Sequence, residues 1–373
     1  MIYFDSAATT FQKPSSVRVA MLRAMQTMSS PGRGGYASAR AAEELLFRTR
    51  SLAADMFGAP SPEQVVFTTS ATHGLNIAIK SLVPSGGRVV VSGWEHNAVT
   101  RPLYALDAEI VVAESQLFDD ESCVRAFSNA LRRGVDAVAC TTASNVFGYI
   151  LPIEEIAALC RRSGVPLIVD ASQSAGVLPL DMMALDAAFV AIPGHKGLYG
   201  PQGTGLLLCG AETKTLFEGG TGSASLQQEM PGFLPDRLEP GTHNVPGIAG
   251  LAAGLRFVCG KTPERILYHE RQLICRAVEG LRRLDGVTVY AASDMTAQLS
   301  VLSFTVDGWE PEDIAEALAQ RGVAVRAGLH CAPLAHRTVG TLEQGTVRLS
   351  VSAFNSESEV EVFLRTMRGI LVK

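Results

Sequence analysis

Along the first two-thirds of the chain, short β-branched runs alternate with longer stretches in which apolar residues recur every three or four positions. QVVFTT (64–69), RVVVS (88–92), EIVVA (109–113), DAVACTT (136–142), PLIVD (166–170) and AAFVAI (187–192) lack the polar alternation of half-exposed strands, and predict strands buried on both faces. Between them, 72–82, 120–132 and 154–163 predict amphipathic helices. The rhythm is that of an α/β fold, a parallel or mostly parallel sheet covered by helices on both faces. Ligands of such sheets collect beyond the carboxyl ends of the strands, so the residues that follow each run are the ones to inspect.

A loop-like segment at 219–244 breaks the rhythm. It is too long for an ordinary connection and predicts a functional or interface loop. Beyond it come a helical region at about 246–284, then VTVY, LSVLSFTV, a helix near 311–320, VAVRAG, TVRLSVS and a closing helix from 356. These elements predict a smaller α+β domain, joined by the N-terminal arm. A chain of 373 residues exceeds what one core covers. The division expected is an arm (1–14), a large domain (15–255) and a small C-terminal domain (256–373).

Composition narrows the class. With 47% hydrophobic and 18% charged residues the chain can bury a core and is not disordered. A net charge of −5 without a basic block argues against a nucleic-acid or anionic-membrane surface. No uncharged apolar run is long enough for a bilayer span, and the opening Met1–Asp5 lacks a signal-peptide pattern. Seven cysteines without a C-x-x-C pair suggest a reducing compartment, and the cytoplasm is the expected location. Cys140, Cys160, Cys209, Cys259 and Cys275 have apolar neighbours and read as core residues, and Cys123, among charges, as a helix-surface thiol. Cys331 differs from all of them. It lies in RAGLHCAPLAH (326–336), a Gly- and Pro-punctuated loop. A metal site with His330 and His336 is not expected, because adjacent residues rarely close one tetrahedral site and no fourth ligand is evident.

The strand ends carry a set of reactive groups. After the first run, Ser70-Ala71-Thr72-His73-Gly74 opens a helix whose N–H groups, with the Thr72 hydroxyl, suit a phosphate; Ser70 or Thr72 acting only as a helix cap is the plainer reading. His96 follows the second run and could stack on a flat ligand, or be an ordinary loop histidine. Asn145 could bind a ring oxygen or form a turn, and Asp170 could hold a pyridinium proton or cap a helix. Lys196 follows the last run inside PGHKGLYGP, where its glycines would let the backbone pass close to a cofactor. Each alone has a bland explanation. Together, a lysine able to condense with an aldehyde, an acid for a ring nitrogen, a stacking imidazole, an amide and a phosphate cradle match the needs of pyridoxal 5'-phosphate.

At these residues a resemblance becomes usable. VDASQSAGVLPLDMMALDAAFVAIPGHKGLYGPQGTG is similar to the cofactor segment of class V aminotransferase-fold enzymes, and of the Suf-type cysteine desulfurases in particular. YFDSAATTFQKP, RGGYASARAAEE, FTTSATHGLN, WEHNA, SNVFG, EPGTHN, RAGLHCAP and TVRLSVSAFN follow in the family's order. The resemblance implies the type I fold of pyridoxal-phosphate-dependent transferases. It implies Lys196 as the cofactor lysine, Asp170 as partner of the pyridine nitrogen, His96 stacked on the ring, and Asn145 and Gln173 near the ring hydroxyl. Thr72, His73 and His195 would approach the phosphate, and Thr242 would reach the phosphate of the other subunit's cofactor in a homodimer. Arg348 would clamp the substrate carboxylate, with Arg326 and Asn145 close to the same site. Cys331 would be the catalytic thiol that takes sulfur from L-cysteine as a persulfide and passes it to an acceptor protein. Pro193, where Suf-type enzymes carry a serine, the extra Gly197 and Leu329 depart from the family pattern and resemble a desulfurase-like subgroup. Selenocysteine lyase with L-selenocysteine as substrate is the alternative, followed by an aminotransferase or other lyase, and by a non-catalytic scaffold.

Overall fold

The computed structural model describes residues 1–32 and 34–372. Arg33, which opens RGGYASARAAEE, lies outside them. The elements, in chain order, are β1 (Ile2–Tyr3), α1 (Ser15–Thr27), α2 (Ala37–Phe57), β2 (Val65–Thr68), α3 (Ala71–Leu82), β3 (Arg88–Ser92), α4 (Asn97–Tyr104), β4 (Glu109–Ala113), α5 (Asp120–Ala130), β5 (Ala137–Thr141), α6 (Ile153–Ser163), β6 (Leu167–Asp170), α7 (Met182–Leu185), β7 (Phe189–Pro193) and β8 (Gly205–Cys209). They continue with α8 (Val245–Lys261), α9 (Pro263–Leu281), β9 (Val287–Tyr290), β10 (Val301–Val306), α10 (Pro311–Ala319), β11 (Val323–Ala324), β12 (Arg326–Gly328), α11 (Pro333–Val339), β13 (Thr346–Ser350) and α12 (Glu357–Leu371).

All six strand runs form, in a seven-stranded sheet of order β2-β8-β7-β6-β5-β3-β4. Its strands run parallel except β8, which is antiparallel to both β2 and β7. Strand alternation sends Val90, Val138, Val169 and Val190 to one helix-covered face and Val89, Ala137, Ile168 and Phe189 to the other. Both faces are dry, which is why these runs are continuously apolar.

The region 246–284 is two helices. The chain turns at Thr262, whose φ is +64° and whose hydroxyl caps α9 at Arg265 N–H; Pro263 follows at the first helical position. The helix α8 packs on α1 and α2, whereas α9 packs on α12, β9 and β10. The strands β12-β13-β10-β9 form a second, antiparallel sheet. The N-terminal residues pack on it: β1 pairs in parallel with β11, and Phe4 lies fully buried against Phe363 in the small core. Burying a phenylalanine is worth about 1.5–3 kcal/mol, enough to hold a two-residue strand in place.

Two cysteine expectations reverse, and Cys275, expected in the core, is only half-buried. Cys123 is fully buried, because on α5 it shares a face with Phe127 while Asp120, Glu121 and Arg125 lie elsewhere around the helix. Cys259 is exposed, one position past buried Val258 near the end of α8. Helical face decides burial here, not the composition of the neighbours.

Candidate active site

The carboxyl ends of β2, β3, β5, β6 and β7 open onto one cleft of about 200 Å³. Its walls include Thr72, His96, Asn145, Asp170, Gln173, His195 and Lys196, so seven of the sequence-selected residues meet there. Each is placed by the turn that ends its strand. Asp170 is the last residue of β6 and stays 2% exposed, and its Oδ1 accepts from Ser172 N–H at 2.9 Å. His96 caps α4, where its Nδ1 accepts from Ala98 N–H at 3.0 Å. That bond assigns the ring proton to Nε2. Burial holds the His96 pKa below the ordinary value, with Asp170 working against it and Lys196 adding to it.

Lys196 sits on a tight turn after β7. A Cβ on Gly197 would come within 2.3 Å of the Ala175 carbonyl, and one on Gly194 within 2.2 Å of Thr204 Oγ1. The glycines flanking the lysine thus let its loop press against neighbouring backbone and threonine, a close approach that the sequence assigned to the cofactor. Burial lowers the Lys196 pKa to about 8, while Asp170 raises it. About a tenth of the amine is then neutral at pH 7, against well under a hundredth for an ordinary lysine, and the neutral form is the one that attacks a carbonyl. His195 also falls, to about 4, through burial and the neighbouring Lys196 and Lys13, and its Nδ1 has no hydrogen-bond partner among the described residues.

The Cys331 loop borders this cleft. A second opening of about 330 Å³ is lined by Cys331 and Arg101, and shares Thr72, His96 and Ala98 with the first. Asn97 N–H, next to His96, donates to the Cys331 carbonyl at 2.7 Å, and Asn145 Nδ2 donates to the His330 carbonyl at 2.8 Å. His330 and Cys331 have φ of +50° and +57°, in the left-handed region that non-glycine residues rarely adopt. The thiol is exposed on this held loop. His330 and His336 are both buried, with pKa values driven to about 2 and about 4, mainly by burial; their rings lie 5.7 Å apart. His330 Nε2 meets Thr346, and His336 Nδ1 meets Thr341 Oγ1 at 2.8 Å. Among the described residues, no three His, Cys, Asp or Glu side chains converge as metal ligands.

Five of the sequence-selected residues do not line the main cleft: Cys331, His73, Thr242, Arg326 and Arg348. The His73 ring stacks on Phe217 at 5.4 Å and lines a separate cavity of about 160 Å³, together with Thr242. Its backbone N–H is taken by the Ser70 hydroxyl, so Ser70 is the cap of α3 and the His73 side chain points elsewhere. Thr242 also lines a broad groove of about 940 Å³ with Tyr36, Arg40 and Glu43.

Arg348 is 2% exposed at the middle of β13; its Nη1 donates to the Asn145 carbonyl at 3.0 Å and its Nη2 to Asp5 Oδ1 at 2.7 Å. Arg326 Nε donates to Asp5 Oδ2 at 3.1 Å. The sequence reading passed over Asp5 and also Glu95. Glu95 is fully buried between the ends of β3 and β5, accepting from Ser92 Oγ and Thr141 N–H, and burial raises its pKa to about 8. An acid inside the apolar strand-end segment GWEHNA was the available signal.

A family model, aminotransferase class V, matches residues 2–363. The chain belongs to that family. Its members depend on pyridoxal phosphate. A probable cysteine desulfurase of Mycolicibacterium paratuberculosis is 33% identical over 99% of this chain, which spans 55% of that longer protein. A probable cysteine desulfurase of Pyrococcus abyssi is 30% identical, covering the whole chain and 94% of the relative. Among solved structures, the apo cysteine desulfurase of Thermococcus onnurineus superposes with a TM-score of 0.90 at 30% identity, over 99% of this chain and 94% of that one. The Escherichia coli cysteine desulfurase gives 0.84 at 26%, over 99% and 95%. The family's type I fold is that of this chain, with its mostly parallel central sheet flanked by helices. Among the described residues no helix is long and apolar enough to cross a membrane.

Proposed function

We propose that this protein is a pyridoxal-phosphate-dependent cysteine desulfurase, converting L-cysteine to L-alanine with the sulfur left as a persulfide on Cys331. The observation that carries the reading is the shared wall of His96 and Thr72 between the Lys196 cleft and the Cys331 opening. Transamination needs no thiol there. The relatives named above favour cysteine over selenocysteine as the substrate.

The residues fit the cofactor: a lysine of lowered pKa, a buried carboxylate and an imidazole line one cleft, and the unpartnered Nδ1 belongs to another wall residue, His195. Lys196 would hold it, Asp170 would pair with its ring nitrogen, and His96 would lie against the ring. Asn145 and Gln173 would face the ring hydroxyl, and Thr72 and His195 the phosphate. Bound there, the cofactor supplies a sink for the electron pair left at the substrate α-carbon. Lys196 moves the α-proton. Arg348, seconded by Arg326, orients the substrate carboxylate. The Cys331 sulfur bonds to the substrate sulfur as the carbon–sulfur bond breaks; the electron pair stays with carbon, and a proton completes L-alanine.

The same reading makes the protein a cytoplasmic homodimer that hands sulfur to an acceptor protein. Val19, Leu22 and Met25 are exposed on α1, and Thr242 and His73 stand apart from the Lys196 cleft. Both observations support Thr242 serving the partner's phosphate.

The test is a product assay with L-cysteine and L-selenocysteine in parallel. Alanine should appear with persulfide on Cys331, and a preference for selenocysteine would overturn the substrate assignment. Loading of the apoprotein with pyridoxal phosphate should accelerate as pH rises, with a midpoint near 8, because the ammonium form dominates below it and the neutral amine above. Borohydride treatment should then leave the cofactor on the Lys196 peptide. Label on Lys80 or Lys214 would remove Lys196 from the site.

A further inference from the structure

Arg326 and Arg348 face each other directly across the β12–β13 pair. Like charges in that position repel. Asp5 lies against both, with Oδ1 on Arg348 Nη2 at 2.7 Å and Oδ2 on Arg326 Nε at 3.1 Å. Its side chain is 13% exposed, against 2% for Arg348 and 48% for Arg326. The arm is fixed around it. Phe4 N–H donates to the Ala324 carbonyl at 2.8 Å, Ala7 N–H to Ser350 Oγ at 2.9 Å, and Ser350 N–H back to the Phe4 carbonyl at 2.8 Å. Asp5 is therefore a built part of the arginine cluster. One guanidinium donor, Arg348 Nε, is buried and has no hydrogen-bond partner among the described residues.

Two cations and one anion leave a single net positive charge. Without Asp5 the pair would offer two, which suits an amino acid carrying a second acid group, such as an aspartate- or sulfinate-like side chain. We propose that Asp5 is a specificity-determining residue that cancels one arginine charge, so that the site favours amino acids with one anionic group over those with two. This rests on the reading of Arg348 as the substrate clamp.

Specificity of this kind is a difference of affinities and is measured as one. Binding of L-alanine and L-aspartate to the loaded enzyme is titrated by calorimetry at low salt, for the parent and for Asp5→Asn and Asp5→Glu, with melting temperatures in parallel. The aspartate-to-alanine affinity ratio should rise about tenfold in Asp5→Asn, the size expected for one unscreened charge near the ligand, and stay within about threefold of the parent in Asp5→Glu. A ratio unchanged in Asp5→Asn, with only the melting temperature lowered, overturns the proposal and leaves Asp5 as a relief of arginine repulsion. If Asp5→Asn does not fold, Arg326→Gln replaces it; that variant should move the ratio about tenfold the other way, and no movement overturns the proposal equally. Arg348→Ala separates the two layers. Unaltered L-alanine binding in that variant sinks the clamp itself, whereas weakened binding beside a flat ratio in Asp5→Asn sinks the charge filter alone.

Discussion

Alanine release from L-cysteine should fall by at least ~10²-fold in Cys331→Ala, the order of loss that follows removal of a nucleophile. The protein should still take up pyridoxal phosphate and bind L-cysteine, because Lys196, Asp170 and Arg348 are untouched. The substitution is structurally mild. Cys331 is exposed, alanine tolerates the left-handed φ no worse than cysteine, and the bond from Asn97 N–H goes to the main-chain carbonyl, which alanine keeps. The melting temperature should therefore hold, and no persulfide should be detectable by mass spectrometry. A variant that desulfurates cysteine at the parent rate would make Cys331 an ordinary loop residue. With L-selenocysteine some activity should survive, since the weaker carbon–selenium bond depends less on a protein nucleophile.

Arg348→Ala should lower kcat/KM about 30- to 1000-fold, the equivalent of about 2–4 kcal/mol for a charge-assisted paired contact, with most of the change in KM. The structure adds a second effect. The guanidinium also holds Asp5 and the Asn145 carbonyl, so its loss leaves Asp5 with only the half-exposed Arg326 and should lower stability. Kinetics measured well below the melting transition separate the two effects. Arg348→Lys keeps the charge but not the planar fork, and should fall between parent and alanine variant. An unchanged kcat/KM in the alanine variant would take Arg348 out of the substrate site.

The central sheet and much of the site were legible because fully buried parallel strands leave continuous β-branched runs, and the residues that end them inherit a place on one rim. Lys196, Asp170, His96 and Asn145 could be collected that way. The strand β8 was harder: GLLLC is a continuous apolar run like the others but has no β-branched residue and follows a glycine-rich stretch, yet it closes the sheet between β2 and β7. His73 illustrates a different limit. Its position at the start of α3 is readable, but the direction of its ring depends on Phe217, far along the chain. Asp5 was invisible for the same reason, since its partners lie 321 and 343 residues away. Local pattern locates backbone termini of elements; it does not report which distant charge a side chain meets.

The strapping of the arm across β11, β13 and the Lys196 loop also sets an order of events during synthesis. Ala7 bonds to Ser350 across 343 residues, and the Thr10 hydroxyl donates to the His195 carbonyl. At about 5–20 residues per second, the arm leaves the ribosome about 20–70 s before its partner on β13 exists. Through that interval Phe4 has no core to enter and Arg348 has not been made. The sheet that carries Lys196 and Asp170 can pack earlier, but the pairing of Asp5 with Arg348 forms only when nearly the whole described chain has emerged. A nascent chain stalled before residue 346 should therefore hold the lysine without Arg348, and should bind amino acids more weakly than the finished chain.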